Sequence, residues 1–342
     1  MTENMYLKWL AQTKGVWWND SADMGEVENA ISNGAVGITT NPILISQVLN
    51  KKRALLDEYR EEIVSITDSD LRAEKIIEII TKDLTKRFYP IYEQTNGENG
   101  YVCAQVNPKY PGDADIMLRN ALRLAEWAPN ISVKIPVTAA GIEVVEECVA
   151  RGINITATVS FTVPQVLAAE EAYQRGLKRA GANGCVPKLF NAVIMVGRLD
   201  DYLRDVVRDG RKDVAESSII RAGTAAMKRA YDLFCHRETK AKLMPAGMRG
   251  AYHTKELAGA DIRFSVHPKI QSLIQQEDPE TIEKINDPVP RAVIEELMKE
   301  REFVRAYDPD GMVPEEFITY GVTQKTLAQF VDAWNIIEAF TF

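Results

Sequence analysis

Short runs of β-branched residues alternate with segments of helical periodicity along most of this chain. The segments between the runs, such as GDADIMLRNALRLAEWA and PQVLAAEEAYQRGLKRAG, carry apolar residues at three- and four-residue spacings. This alternation is typical of β-α units around a parallel sheet, and eight strands close a barrel. The sequence therefore predicts an α/β fold, an eight-stranded parallel (β/α) barrel (TIM barrel). Its candidate strands are GVWWND, AVGITTN, YVCAQVN, ISVKIPV, NITATVSF, one within GCVPKLFNAVIMVG, AKLMPAG and DIRFSVHP.

The chain is longer than such a barrel needs, since its 342 residues exceed the length of about 250 that is typical. The excess is predicted to form an N-terminal helix, two or three helices within residues 51–100, and a C-terminal region ending in the apolar-rich helix TLAQFVDAWNIIEAFTF. No Gly/Ser-rich linker or change of composition separates these parts, so residues 1–342 are expected to form one domain with helical additions. The C-terminal helix could cover its own barrel or that of a second copy in a homo-oligomer.

Charge and composition exclude several kinds of partner. Lys and Arg number 41 against 49 Asp and Glu, a net charge of −8, and no basic stripe with interleaved aromatics appears, which argues against nucleic acid. No apolar run reaches the roughly 18 residues of a membrane span. The four cysteines are far apart without a C-x-x-C pair, and the first residues resemble a helix rather than a signal peptide. We therefore expect a soluble, cytoplasmic protein.

Polar residues close one of the apolar runs. The stretch AVGITTNPIL passes through two threonines into Asn41 and stops at Pro42. Proline favours extended backbone in the residue before it, so Asn41 is predicted to end a strand. It could serve there only to cap the following helix. In parallel α/β proteins, however, the carboxyl ends of strands usually carry the chemistry.

Lys134 lies between apolar neighbours in ISVKIPV. Burial under an outer helix would cost several kcal/mol for an unpaired charge, so a position inside the barrel near the strand ends is favoured. Burial there disfavours the charged amine, and a neutral lysine amine is a carbonyl nucleophile. The structural alternative is a lysine that reaches solvent or pairs with an acid.

Other strand ends are polar as well, and each residue taken alone has an ordinary explanation as a cap, a turn residue or a strand former. Their occurrence on successive strands predicts one shared pocket. The set comprises Asp20, Asn41, Gln105, Lys134, Thr156 and Thr158.

With these residues in place, the chain resembles the transaldolase family. The matching segments are NDSADMGEVENAISNGAVGITTNPILI, VCAQVNPK, SVKIPVTAAGIEVVEECVARGINITATVSFTVPQVLAAEEA, VGRLDDYL and MPAGMRGAYHTKELAGADIRFSV, from about residue 19 to about residue 266. The resemblance implies a Schiff-base aldolase barrel that uses no metal and no other cofactor. It further implies transfer of a dihydroxyacetone unit between sugar phosphates, in carbohydrate metabolism and the pentose phosphate pathway.

The resemblance also implies catalytic roles. Lys134 would form the imine with the ketose carbonyl, and Asp20 would accept the proton during carbon–carbon cleavage. Thr158, with Gln105, would hold the water used in carbinolamine dehydration and imine hydrolysis. A protonated imine is an electron sink, so cleavage leaves an enamine instead of a bare carbanion.

Four further positions are implied to bind substrate. Asn41 would hold substrate hydroxyls, and Thr156 occupies the position of a family asparagine on the fifth strand. Arg198 in VGR and Arg249 in GMRG would bind the phosphate, because guanidinium groups match its paired oxygens.

Two departures from the family leave the substrate and the reaction open. Gln105 stands where transaldolases usually carry glutamate and the related fructose-6-phosphate aldolases carry glutamine, which positions water but cannot shuttle its proton. Serines that help to hold the phosphate fall on apolar or glycine positions, Gly247 being the clearer case. Aldol cleavage that releases free dihydroxyacetone therefore remains an alternative, as does another anionic ketose, such as a sulfonate.

The sixth strand contains an insertion relative to the family. Either GCVPK or NAVIM forms the strand, which places Lys188 or Met195 at the pocket. Because many Schiff-base aldolases carry the imine lysine on strand six, Lys188 is an alternative nucleophile to Lys134.

Two other classes of function fit parts of the pattern. One is a barrel isomerase in which Asp20 is the base and Lys134 an electrostatic stabiliser, and the other is a non-catalytic barrel that binds an anion. A metal-dependent aldolase has less support, because His236, His253 and His267 are scattered along the sequence.

Overall fold

A computed structural model describes residues 3–237 and 239–342. Within them, eight parallel strands are hydrogen-bonded in the order β7-β6-β5-β4-β3-β2-β1-β8. Strands β7 and β8, at the two ends of this order, pack beside each other, so the sheet forms a nearly closed barrel and confirms the predicted fold. The strands are β1 Val16–Asn19, β2 Gly37–Ile38, β3 Tyr101–Gln105, β4 Ile131–Pro136, β5 Ile155–Thr158, β6 Phe190–Ile194, β7 Lys242–Pro245 and β8 Arg263–Val266.

Helices surround the barrel, and several of them lie outside the β-α alternation. Residues 51–100 contain three of them, α4 to α6, and a short α1 precedes the first strand. The helices are α1 Met5–Leu10, α2 Met24–Ser32, α3 Pro42–Val48, α4 Arg53–Asp57, α5 Arg60–Ser65, α6 Ser69–Gln94, α7 Ala114–Ala125, α8 Ala139–Ala150, α9 Val163–Asn183, α10 Val196–Asp209, α11 Glu216–Ile219, α12 Ala222–His236, α13 Ala251–Leu257, α14 Pro268–Glu277, α15 Arg291–Leu297, α16 Arg301–Tyr307, α17 Pro314–Phe317 and α18 Gly321–Glu338.

The core is divided between the barrel with its outer helices and a second cluster beside it. Every residue of β3 and β4 is buried, as expected for parallel strands covered on both faces. The second cluster joins α6 to the C-terminal helix α18 through Trp334 and Ile337. Helix α18 also packs on α3 and α10, so the C-terminal helix covers its own barrel. Among the described residues, no helix is long and apolar enough to cross a membrane.

Strand β6 settles the register that the sequence left open, because it runs over the FNAVI half of the segment. Met195 follows β6 directly and lines the pocket described below. Lys188 precedes the strand, and its Nζ donates to the Asn96 carbonyl, 2.8 Å away, in the connection before β3. Lys188 therefore lies at the amino-terminal end of the barrel, away from the carboxyl ends of the strands.

Candidate active site

A pocket of about 380 Å³ opens at the carboxyl ends of the strands. No three His, Cys, Asp or Glu side chains of the described ranges cluster closely enough to share a metal ion. The pocket brings together most residues that the sequence singled out, whereas Gln105 and Thr156 are not part of its wall. The predicted residues that line it are Asp20, Asn41, Lys134, Thr158, Arg198 and Arg249.

Lys134 points into the barrel from β4 and is only 6 % exposed. Its Nζ donates to the backbone carbonyl of Thr40, 3.0 Å away, in the segment that follows β2. Within residues 3–237 and 239–342, no carboxylate forms an ion pair with this amine. The alternative of a solvent-exposed or acid-paired lysine therefore does not describe this side chain, and its amine remains free to act on a ligand in the pocket.

Asp20 follows β1 and is held by hydroxyl groups. Thr39 Oγ1 donates to Asp20 Oδ1 at 2.7 Å, and Ser265 Oγ on β8 lies 2.7 Å from the same Thr39 oxygen. Since each hydroxyl carries one proton, Ser265 donates to Thr39 when Thr39 donates to Asp20. The Thr39 hydroxyl therefore orients the carboxylate, and Ser265 supports Thr39. Sequence reasoning missed both as site residues, although Thr39 lies two residues before Asn41.

Asn41 serves two purposes at the start of α3. Its Oδ1 accepts from the backbone N–H of Leu44 at 3.1 Å, so the residue is the helix cap that the sequence allowed. It also lines the pocket. The cap uses only the amide oxygen, which leaves the amide N–H groups available to donate to a ligand.

Thr158 ends β5 beside Pro136 and is buried in the pocket wall. The next residue, Val159, has a φ of +52°, which is unusual for a β-branched residue. Gln165 fixes this turn, because its Nε2 donates to the carbonyls of Val159 and Val137 at 3.3 and 3.2 Å. Gln165 thereby holds the backbone that directly follows Thr158, a role that no sequence pattern indicated.

Gln105 and Thr156 lie on either side of Lys134 in the sheet register, and neither lines the pocket. Thr156 Oγ1 is 2.8 Å from Ser132 Oγ and accepts from the Asn191 amide at 3.1 Å, so its hydroxyl is used within the barrel. Gln105 Oε1 is buried and has no hydrogen-bond partner among the described residues. Because buried amide oxygens are normally satisfied, this atom is suited to accept from a water or a ligand.

The two predicted phosphate-binding arginines come from different segments. Arg198 lies in the first turn of α10, and its Nη1 donates to Gln329 Oε1 on α18 at 2.6 Å. Arg249 follows β7, and its Nε donates to Asp201 Oδ2 at 2.7 Å. Burial, followed by the charge of the Arg249 guanidinium, lowers the pKa of Arg198 to about 10. The two cations oppose each other's charge, so an anion between them would be stabilised.

The rest of the pocket wall combines apolar side chains with two further basic residues. His267 and Lys269, at the start of α14, also line the pocket and were not predicted as site residues. The apolar part of the wall includes Val193, Met195, Met244, Met248 and Ile270. The pocket therefore offers a buried amine, a hydroxyl-bonded carboxylate and a basic region, separated by apolar surface.

Comparisons with known proteins agree with this arrangement. The Transaldolase/Fructose-6-phosphate aldolase family matches the chain over residues 17–340. A transaldolase of Kocuria rhizophila is 29% identical over 237 residues, which are 64% of this chain and 62% of that protein. Transaldolase 1 of Streptomyces avermitilis is 26% identical over 208 residues, 58% of this chain and 54% of the relative.

A transaldolase of Saccharopolyspora erythraea matches more of the chain, with 28% identity over 275 residues, 77% of this chain and 68% of that protein. The chain thus spans less than two thirds of the Kocuria and Streptomyces relatives.

Proposed function

This chain belongs to the transaldolase/fructose-6-phosphate aldolase family, and we propose that it transfers a dihydroxyacetone unit between sugar phosphates through a Schiff base on Lys134. One observation carries the proposal: a buried lysine amine without an acidic partner in the described chain lines the same pocket as Asp20. Such an amine is suited to nucleophilic attack on a carbonyl.

The reaction begins at the amine. The lone pair of the Lys134 amine adds to the C2 carbonyl of the ketose, while an N–H of the same amine donates to the Thr40 carbonyl. Addition gives a carbinolamine, which takes up one proton and loses water to give the protonated imine. Thr158, in the pocket wall, and Gln105, whose buried oxygen has no protein partner in the described residues, are suited to hold that water.

Carbon–carbon cleavage then uses the carboxylate. Asp20 removes the proton from the C4 hydroxyl as the C3–C4 bond breaks, and the electron pair of that bond moves into the imine to give an enamine. The aldose phosphate leaves. Thr39 keeps the carboxylate oriented for this step through its 2.7 Å hydrogen bond. The enamine adds to the carbonyl carbon of a second aldose phosphate, and the carbonyl oxygen takes the proton back from Asp20. Water then hydrolyses the new imine, which releases the ketose product and frees Lys134.

The remaining residues bind the substrate. Asn41 donates to ketose hydroxyls, and Arg198 and Arg249 bind the phosphate at the basic part of the pocket. For Thr156, substrate binding stays a prediction from its family position. Its hydrogen bonds with Ser132 and Asn191 favour a supporting role beneath the pocket.

Reversible aldol cleavage with release of free dihydroxyacetone is the second candidate, and Gln105 favours it. An amide positions water but cannot pass on its proton, as the glutamate usual in transaldolases can. A sulfonate in place of the phosphate is a further variant, because the serines of the family's phosphate site are missing, as at Gly247.

The proposed transfer belongs to the pentose phosphate pathway in the cytoplasm. The sequence gives no sign of a nucleic-acid partner, and four free cysteines suit a reducing compartment.

Product analysis with fructose 6-phosphate tests the proposal. Transfer predicts that glyceraldehyde 3-phosphate forms rapidly only when a four-carbon aldose phosphate is present as acceptor. Equal rates without acceptor, with dihydroxyacetone in the medium, would establish the aldolase. Turnover of a ketose 6-sulfonate but not of fructose 6-phosphate would show that the substrate carries a sulfonate. No turnover of either ketose would contradict the proposal.

A further inference from the structure

Two ionisable side chains that the proposed reaction does not use lie fully buried behind the arginine pair. His253 of α13 and Asp200 of α10 are both 0 % exposed, and His253 Nε2 lies 3.0 Å from Asp200 Oδ2. Neither residue lines the pocket. Burying a carboxylate and an imidazole costs desolvation free energy that packing alone does not explain. The other hydrogen bonds of the pair therefore indicate its role.

Those contacts lead to Arg249. His253 Nδ1 lies 3.3 Å from the backbone nitrogen of Arg249, and the other Asp200 oxygen accepts from the backbone N–H of Gly223 at 2.8 Å. A backbone N–H can only donate, so Nδ1 is the acceptor and the imidazole proton sits on Nε2, facing Asp200. The aspartate therefore fixes the tautomer that the Arg249 backbone requires.

Helix α10 holds the same arginine at a second point. Asp201, next to Asp200, accepts from Arg249 Nε at 2.7 Å. The helix also approaches the backbone closely, since a Cβ at Gly197 would lie 2.5 Å from the Gly247 carbonyl. Gly247 itself has a φ of +60°, a conformation that disfavours other residues. The loop after β7 is thus shaped around the first turn of α10.

We propose that Asp200 and His253 are positioning residues of the anion site. Through the Nδ1 acceptor they hold the Arg249 backbone against α10, the helix that carries Arg198, and so set the spacing of the two guanidinium groups. The inference rests on the proposed function in taking the anion to be the substrate's phosphate.

Asp200→Asn is the sharpest variant, because it keeps size and the acceptor for Gly223 while reversing polarity toward the imidazole. The new amide donates to His253 Nε2, which moves the imidazole proton to Nδ1. The Nδ1–H and the Arg249 backbone N–H are then both donors, so the hydrogen bond between them is lost. We expect KM for fructose 6-phosphate to rise about tenfold and kcat to stay within about twofold. KM for unphosphorylated dihydroxyacetone as donor should not change.

Thr224→Val is the matched control. Thr224 follows Gly223, is 1 % exposed, and its hydroxyl has no partner in the described part of the chain. Its KM for the phosphorylated ketose should equal that of the wild type. If Asp200→Asn does not fold by circular dichroism, His253→Leu and His253→Gln replace it. Leucine removes both hydrogen bonds, whereas glutamine offers an acceptor and a donor, so only the leucine variant should show the raised KM.

Titration calorimetry with inorganic phosphate separates this inference from the proposed reaction. Weaker phosphate binding in Asp200→Asn supports the positioning role, even if the wild type turns over no sugar phosphate and the proposed function fails. An unchanged phosphate affinity in a folded variant overturns the positioning role. So does a KM that rises equally for phosphorylated and unphosphorylated donors.

Discussion

Replacing Arg198 with methionine tests the anion site most sharply. The change keeps an unbranched apolar side chain near Phe330, whose ring centre lies 5.9 Å from the guanidinium carbon, and removes the charge. With a pKa lowered to about 10 by burial and then by Arg249, the guanidinium is still charged at neutral pH. Loss of function in Arg198→Met would therefore report on a lost cationic contact.

The structure limits how large a loss of kcat/KM we expect for Arg198→Met. Charge-assisted hydrogen bonds contribute about 1.5–3 kcal/mol, which corresponds to about 10- to 150-fold in kcat/KM. Arg198 Nη1 already donates to Gln329, so only the remaining N–H groups serve the phosphate. We therefore expect a loss of about 10- to 40-fold. It should appear in KM, because the phosphate is bound alike in ground and transition states.

Steady-state kinetics with fructose 6-phosphate and with unphosphorylated dihydroxyacetone as donors provides the assay. Arg208→Met is the control, since Arg208 lies on the same helix with a side chain that is 72% exposed. Arg208→Met should match the wild type with both donors, and Arg198→Met should differ only with the phosphorylated donor. An Arg198→Met enzyme with an unchanged KM for fructose 6-phosphate would remove this residue from the site.

Two further changes probe Asp20, the proposed base, and the C-terminal helix. Thr39→Val removes the hydroxyl that orients Asp20, so kcat should fall about tenfold with little change in KM; an unchanged kcat would refute the orienting role. Asp70 accepts from Trp334 of α18 at 2.9 Å. Burial alone would raise the pKa of Asp70, but hydrogen bonds donated by Lys109, Tyr110 and other neighbours outweigh it and lower the pKa well below the usual range. The carboxylate therefore stabilises the fold above its unfolded pKa of about 3.9, and this contribution is lost as pH falls through the lower folded value. Urea unfolding should show Asp70→Asn less stable than wild type by about 1–3 kcal/mol at pH 7, with the difference shrinking below about pH 4. A difference independent of pH would contradict this.

The strands were predictable because parallel strands buried on both faces leave continuous β-branched runs in the sequence. The register of β6 was not predictable, since its segment holds two candidate strands, GCVPK and NAVIM, and the choice depends on a side chain distant in sequence. Asn154 Oδ1 accepts from the backbone N–H groups of Lys188 and Leu189 at 2.9 and 3.0 Å, which holds the first run outside the strand.

Much of the candidate site could likewise be predicted, because polar residues at strand ends stand out against apolar runs. How deep each residue lies along the barrel could not be predicted from the sequence. Its alternation with Thr158 suggested that Thr156 faces the pocket, but Thr156 lies below the pocket wall. Contacts between segments far apart in the sequence could not be predicted either. Thr39 meets Ser265 across 226 residues, and Asp200 meets His253 across 53, with no local pattern linking either pair.

Borohydride trapping tests the central claim, that Lys134 forms the imine, most directly. Incubation with fructose 6-phosphate or dihydroxyacetone and borohydride should add mass to the peptide containing SVKIPV. Lys134→Ala should abolish the adduct. Lys188→Ala is the control and should retain it, since Lys188 Nζ is bonded to Asn96 away from the pocket. An adduct on the VPKLF peptide, or no adduct in the wild type, would contradict the Schiff base on Lys134.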